Sequence, residues 1–372
     1  MRALIVGGYG SVGHTIAEEL ATASDGPSSV AVAGRDGTKA NAVAAEFGEH
    51  VSGVAFDLQE TESYARVLED VDQVVMCVDQ SGTAFVEACL ERGIDYVDVT
   101  ASDEFFREVE PLDERARDGD ATAVLSVGLA PGVTNLLAKR MADQLSAVSE
   151  IQIGVLLGLG EAFGPAASRW TLERIGRAFT VPDANGTRSV RGFATPEAVE
   201  FPRYGRRRAY GFDLADQHVI YRTLDVPART VLCFDSRAIT SAAYGLSRLG
   251  LYRPAVDAIG LDRLTGLVST LSVGGDGFAV TVEVDGQQDS TAKTLMTAID
   301  GREQSRVTGI VAAIVSMAIR DTPVPSGVHH VHEILDAEPI LDVLRERGYR
   351  LTTSERVRTT SETFTPTRRG NR

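Results

Sequence analysis

Ala3-Leu4-Ile5-Val6-Gly7-Gly8-Tyr9-Gly10-Ser11-Val12-Gly13-His14-Thr15-Ile16-Ala17-Glu18-Glu19-Leu20 decides the fold. Four apolar residues give way at Gly7 to a glycine run, and the residues beyond repeat with a helical period. Gly8, Gly10 and Gly13 fit the spacing G-x-G-x-x-G. A second apolar run, Ser29 to Ala33, then ends in Gly34-Arg35-Asp36. The order is strand, glycine turn, helix and strand, with charge where an adenosine ribose would lie. A lone match to that spacing is weak, and an ordinary tight turn is the competing reading. The flanking strand and helix give the match its weight.

Each glycine has a physical task. Gly8 permits the sharp turn, Gly10 lets the backbone approach a pyrophosphate, and Gly13 lets the helix pack closely on the strand. The helix N-terminus offers unpaired N–H groups and partial positive charge to phosphates. The expected dinucleotide contacts in this stretch are Gly8, Tyr9, Gly10, Ser11, Val12 and Gly13. A guanidinium at Arg35 suits the 2′-phosphate of NADP, whereas an acidic residue there suits NAD. Asp36 follows directly, so NADP is favoured and NAD stays open.

Outward from this unit the chain goes on alternating. Gly53 to Phe56, Gln73 to Val78, Tyr96 to Thr100 and Ala121 to Val127 read as further strands. Ser81 to Arg92 and Asp103 to Ala116 read as the helices between them. Such alternation specifies an α/β fold, an N-terminal Rossmann doubly wound parallel sheet over residues 1–130. Strand ends on one edge should converge on the ligand. They add Asp57, Leu58, Cys77, Val78 and Thr100 to Arg35 and Asp36 as expected cofactor contacts.

The stretch Gly128-Leu129-Ala130-Pro131-Gly132-Val133-Thr134-Asn135 breaks the pattern and leads into a helix, Leu136 to Leu145. Pro131 and Gly132 make a rigid turn, and Thr134 or Asn135 can cap that helix. One reading sets Pro131 and Gly132 at the nicotinamide end of the cofactor; the other is an interdomain linker. Beyond residue 148 short strand candidates occur at Glu150 to Leu157, Thr187 to Phe193, Arg207 to Phe212, Ala228 to Phe234 and Phe278 to Asp285. They predict a second α+β domain of mostly antiparallel sheet over residues 131–306, for substrate and dimerisation. Residues 307–351 are expected to pack back on the Rossmann domain. Residues 352–372, rich in Thr, Ser and Arg, read as a mobile tail.

Bulk composition narrows the function. A formal net charge of −15 opposes nonspecific nucleic-acid binding. Cys77, Cys89 and Cys233 lack close spacing, so neither a disulfide framework nor a zinc site is expected, and a reducing cytoplasm fits. The chain opens on a strand, so no signal peptide is expected. Gly309 to Ile319 is too short to span a bilayer, so no membrane partner is expected. Only Lys39, Lys139 and Lys293 are lysines; that bias points to a GC-rich or halophilic source and says nothing of activity.

Three stretches together resemble the saccharopine dehydrogenase-type reductases, a group that includes saccharopine reductase and carboxynorspermidine synthase. They are the N-terminal glycine run with Gly34-Arg35-Asp36, the segment Tyr96-Val97-Asp98-Val99-Thr100, and the Gly128 to Asn135 turn. Val324 to Val328 and Leu341 to Gly348 are similar to the family's closing segment. One departure is Ala130, where the family often has Asp before Pro-Gly. The resemblance implies an NADP-dependent oxidoreductase acting at a C–N bond, by imine reduction or secondary-amine oxidation. It also tilts the oligomeric state to a homodimer. The group includes enoyl reductases, so C=C reduction is the rival chemistry. A non-catalytic NADP-binding regulator is the rival from another class.

Candidate chemistry derives from hydride transfer, in which the protein positions the reactants and manages one proton. Asp98, near the ligand edge, could orient a cationic amine. His218, in the second domain, is suited to proton donation. Arg206 and Arg207, within the basic cluster Arg203 to Arg208, could clamp substrate carboxylates. Asn135 and Trp170 complete the expected substrate contacts. Ile151 to Leu159 and Leu264 to Val273 could form a dimer sheet or simply core. His329-His330-x-His332 lacks partners at ligand spacing, so no metal is expected.

Overall fold

The computed structural model describes residues 1–160, 165–183, 186–270 and 274–357. The strands among the described residues, numbered in order, are β1 (Arg2–Val6), β2 (Ser29–Gly34), β3 (Val51–Ala55), β4 (Gln73–Met76), β5 (Asp95–Asp98), β6 (Thr122–Leu125), β7 (Ala147–Leu157), β8 (Ala178–Asp183), β9 (Gly186–Arg191), β10 (Pro196–Phe201), β11 (Gly205–Gly211), β12 (Ala228–Phe234), β13 (Gly277–Gln288), β14 (Thr291–Arg302), β15 (Gly327–His330) and β16 (Arg350–Val357). Two compact units share them. The first holds Met1–Val133 and Ser305–Leu335, the second Thr134–Gln304 and Asp336–Arg372.

The first unit carries a seven-stranded sheet in the order β15-β6-β5-β4-β1-β2-β3. Every pair in it is parallel. Strand order reverses beside β1, so the switch point opens where the glycine run begins. The strands read as continuous apolar runs because both faces are covered. Leu4, Ile5, Val74, Val75 and Val97 are buried. Gln73, the polar residue inside β4, is paired with Ser316 of the helix Gln304–Asp321: its Nε2 donates to the Ser316 carbonyl at 3.1 Å. That helix meets the helix Ser11–Thr22 closely, since a Cβ on Gly309 would fall 2.5 Å from the Thr15 Cβ.

The stretch Asp103 to Ala116 is two helices, Asp103–Val109 and Asp113–Asp118, not one. Pro111 lies between them and cannot supply the N–H that a continuous helix needs.

The second unit carries a seven-stranded sheet in the order β10-β11-β12-β7-β13-β14-β16, with a separate β8-β9 hairpin. Only the β12–β7 pair is parallel, so the sheet is mostly antiparallel. Val199 and Phe201 of β10 cover β7 at Gly154, where a Cβ would fall 2.5 Å from Val199 Cγ1.

Three expectations need correction. The return of chain to the first unit ends at Leu335, not at 351. Asp336 onward joins the second unit, where β16 pairs with β14 along its length. Residues 352–357 are therefore strand, and 358–372 of the expected tail lie outside the described residues. Finally, Leu264 to Val273 is not sheet: Leu261–Thr270 is helix, and 271–273 lie outside the described residues. Ile151 to Leu157 lies inside β7, a central strand flanked by β12 and β13.

Candidate cofactor site and substrate residues

The turn after β1 is held by its own backbone. Gly7 and Gly8 N–H groups donate to the Ala33 carbonyl at 2.8 and 3.2 Å, tying the turn to β2. Gly7 has φ +85°, a conformation that glycine adopts freely. A Cβ on Gly13 would meet the Gly7 oxygen at 2.4 Å, so this position sets the helix directly on the turn. Gly10 is exposed, and its Cβ would meet only the Gly7 oxygen at 3.3 Å. The helix Ser11–Thr22 starts there with no side-chain cap. Its first N–H groups and Gly10's missing side chain together fit a pyrophosphate. Ser11 is exposed beside them, and Val12 is half-buried.

The end of β2 separates the two charged residues. Asp36 caps the helix Gly37–Ala44, with Oδ1 accepting from Thr38 and Lys39 N–H at 3.0 and 3.1 Å. Arg35 is exposed and forms no ion pair among the described residues. Tyr9 lies over Gly34, where a Cβ would be 2.3 Å from the ring. Lys39 Nζ sits 6.0 Å from the Tyr9 ring centroid and 3.8 Å from Asp36 Oδ2. Sequence reasoning misses Lys39, which is exposed in the first turn of the helix Gly37–Ala44 that Asp36 caps. At the end of β3, Asp57 Oδ1 accepts from Gln59 N–H at 3.0 Å, and the Leu58 carbonyl accepts from the Tyr64 hydroxyl at 2.7 Å.

The ends of β4 and β5 close the edge. Val78 Cγ1 abuts Gly7, 2.6 Å from where its Cβ would be. Cys77 is half-buried, and burial, with Asp98 nearby, pushes its thiol up, so it stays protonated. Asp98 is fully buried. Its Oδ1 accepts from the Thr100 N–H at 2.8 Å and hydroxyl at 2.5 Å. Its Oδ2 accepts from the Tyr96 hydroxyl at 2.6 Å and from Gln80 Nε2 at 3.4 Å. Burial lifts this carboxyl to about 6, against the pull of its Thr100 and Tyr96 bonds. A carboxyl so enclosed holds Thr100 in place rather than meeting a ligand itself. Tyr96 and Gln80 complete this knot; the Tyr-x-Asp spacing puts Tyr96 and Asp98 on one face of a strand, the signal that joins them. Pro131 and Gly132 are buried in the turn after β6, Gly132 at φ +132°.

The second unit holds the remaining candidates. Asn135 is fully buried in the first turn of the helix Thr134–Ala142. Trp170 is half-buried, 5.9 Å from Phe212 and covered by the Arg174 guanidinium at 3.7 Å. Arg206 and Arg207 are adjacent on β11, so their side chains leave opposite faces and do not form one clamp. Arg207 Nε donates to the Tyr204 carbonyl at 3.2 Å and its Nη1 to the Asp235 carbonyl at 3.4 Å. Arg206 is exposed. His218, nearly buried on the helix Ala215–Leu224, has Nε2 2.9 Å from Asp213 Oδ1. Sequence reasoning misses Asp213 as well; it precedes the helix by two residues, and the helical return of the chain joins the pair.

Residues 3–124 match the family model of the saccharopine dehydrogenase NADP binding domain. Among solved structures, the chain resembles the apo histidine-tagged saccharopine dehydrogenase (L-Glu forming) from Saccharomyces cerevisiae. The TM-score is 0.67 at 16% identity, covering 95% of this chain and 99% of that one. C. glutamicum DAP dehydrogenase in complex with DAP gives a TM-score of 0.47 at 15% identity, over 94% of this chain and 99% of that one. Dipicolinate-bound dihydrodipicolinate reductase from Paenisporosarcina sp. TG-14 gives 0.40 at 14% identity, over 90% and 99%. No curated protein matches by sequence. The yeast likeness is one of fold. No helix among the described residues is long and apolar enough to cross a membrane.

Proposed function

We propose, on the premise that residues 3–124 are a saccharopine dehydrogenase-type NADP-binding domain of an oxidoreductase family, that this protein reduces an imine, or oxidises a secondary amine, of a carboxylated small molecule. The observation that carries the cofactor half is the division of roles at β2: Asp36 is taken up as a helix cap and Arg35 is left unpaired. The C–N bond comes from the family resemblance and from the saccharopine dehydrogenase whose fold the chain shares.

When bound, NADPH supplies the hydride. The chain's own residues do the rest. The glycine turn and the open helix N-terminus would hold the pyrophosphate, and Arg35 would hold the 2′-phosphate. Asp98 fixes Thr100 at the edge. Arg207, already oriented by two backbone carbonyls, receives a substrate carboxylate. His218 handles the proton. Asp213 accepts from Nε2–H, which leaves Nδ1 to exchange a proton with the substrate nitrogen. Arg206 and Arg208, on the face opposite Arg207, are the observation that favours a second reading, C=C reduction without an amine. A homodimer working in the cytoplasm belongs to the same reading, and sedimentation velocity tests the dimer.

The test is NADPH consumption, followed by absorbance with NADH controls, across a matrix of amines against keto acids and aldehydes. Turnover that needs both an amine and a carbonyl compound supports C–N chemistry. Turnover with the carbonyl compound alone overturns it. His218→Asn should lower kcat by about 10²–10⁴-fold with NADPH affinity unchanged; an unchanged kcat removes His218 from the mechanism.

A further inference from the structure

β15 brings a histidine to the end of β6. His330 Nδ1 lies 2.8 Å from Ser126 Oγ, and its Nε2 lies 3.2 Å from Glu110 Oε1. Ser126 is fully buried, His330 is 4% exposed and Glu110 is half-buried. The chemistry of the three groups orders the protons. A carboxylate accepts, so Nε2 carries the hydrogen; in that tautomer Nδ1 accepts, and the Ser126 hydroxyl donates. The residue is held in two further ways. Its own backbone N–H donates to Glu333 Oε2 at 2.8 Å, and Phe106 meets it edge-on at 5.6 Å between centroids.

Ser126 is the residue with most to gain from such a hold. Its φ is +57°, the left-handed region that a side-chain-bearing residue seldom adopts. β6 ends one residue earlier, so this torsion directs the chain into the Gly128–Gly132 turn. The Ser126 carbonyl sits against that turn, 3.2 Å from where a Gly132 Cβ would be. The next N–H, of Val127, donates to the Asp98 carbonyl at 3.2 Å and joins the turn to the Asp98 knot.

We propose that His330 is a positioning residue of the cofactor site: by accepting from Ser126 while anchored on Glu110, it fixes the turn at the nicotinamide end of the ligand edge. This rests on reading that edge as an NADP site. The triple His329-His330-x-His332 by itself suggests at most a metal. The partners of His330 stand 204 and 220 residues away in sequence, which is why only the fold unites them.

The test compares two ligands by calorimetry. NADPH spans the whole edge, whereas adenosine 2′,5′-bisphosphate engages only the adenosine end. The variants are Ser126→Ala, His330→Gln, His330→Asn and the double variant Ser126→Ala/His330→Gln. Asn sets an acceptor near the place of Nδ1, while Gln reaches only toward that of Nε2. His330→Gln and Ser126→Ala should each weaken NADPH about tenfold and leave the bisphosphate within about twofold, the scale of one lost hydrogen bond. The double variant should be no weaker than either single one, because both remove the same bond. His330→Asn, which keeps the acceptor but loses the Glu110 anchor, should bind NADPH more tightly than His330→Gln does and leave the bisphosphate within about twofold. Equal weakening of both ligands, or unchanged NADPH affinity with a lowered melting temperature, would mean the ring is only structural and overturn the proposal. Ser126→Ala removes one atom and keeps the test valid if a His330 variant fails to fold. A parent protein that binds neither ligand overturns the NADP reading itself, a failure distinct from loss of the positioning role.

Discussion

Asp36 Oδ1 lies 3.0 Å from the backbone nitrogen of Thr38, closing the first turn of the helix Gly37–Ala44. The same oxygen serves Lys39 N–H. An aspartate so occupied is poorly placed to accept from ribose hydroxyls, and its neighbour Arg35 becomes the group that a phosphate at the end of β2 would meet.

Arg35→Ala should therefore act on one cofactor and not the other. A charge-assisted bond to phosphate contributes about 1.5–3 kcal/mol, so NADPH should bind roughly 10- to 100-fold more weakly. NADH affinity should stay the same. Fluorescence titration of both nucleotides decides it, and equal losses would show that Arg35 does not see the 2′-phosphate.

Gly10 and Gly13 should separate binding from folding. A Cβ at Gly13 collides with backbone on two sides, the Gly7 oxygen at 2.4 Å and the Gly8 Cα at 2.6 Å. Gly13→Ala should destabilise the protein by about 1–3 kcal/mol in urea melts, as overpacking does. Gly10 is an exposed N-cap in extended backbone, so Gly10→Ala should cost no more than about 1 kcal/mol. It should nonetheless weaken NADPH at least about tenfold, because the new methyl stands where the pyrophosphate approaches. Normal NADPH binding by Gly10→Ala would dismiss this cradle.

Asp98 should leave a mark on the pH dependence of stability. Its carboxyl rises to about 6 in the fold, chiefly through burial, against about 3.9 when unfolded. The folded state thus holds the proton more tightly. The stabilisation is complete below about pH 4 and is lost as pH rises through about 6, on the order of 2–3 kcal/mol for a shift of this size. Asp95, Glu197, Asp216 and Glu283 are also raised by burial and contribute with the same sign. The informative quantity is therefore the difference between parent and Asp98→Asn in urea melts from pH 4 to 7.5. Parallel curves would show that Asp98 titrates as an ordinary carboxyl.

Much of the first unit is legible in the sequence because its signals are local. β1, the glycine turn and β2 are contiguous, and each backbone demand is met by a residue a few positions away. The helix Gln304–Asp321 is visible as an apolar run. β10, β14 and β16 do not stand out as strands. Their exposed and charged residues, such as Arg302, Glu355 and Arg356, hide the alternation. Glu283 with Arg356 and Lys293 with Glu355 become pairs only once β13, β14 and β16 lie side by side. Arg206 and Arg207 look like one clamp in the sequence because neighbours there are not yet assigned to faces.

Taken alone, the order of residues determined the parallel nucleotide-binding sheet, the glycine cradle and the charged end of β2, since short-range sterics and periodicity encode all three. Only tertiary structure decided that Asp36 is a cap, that Asp98 is sealed among Tyr96, Thr100 and Gln80, and that His330 meets Ser126 and Glu110. Those relationships depend on burial and on which distant strands become neighbours, and neither is set until the chain has closed on itself.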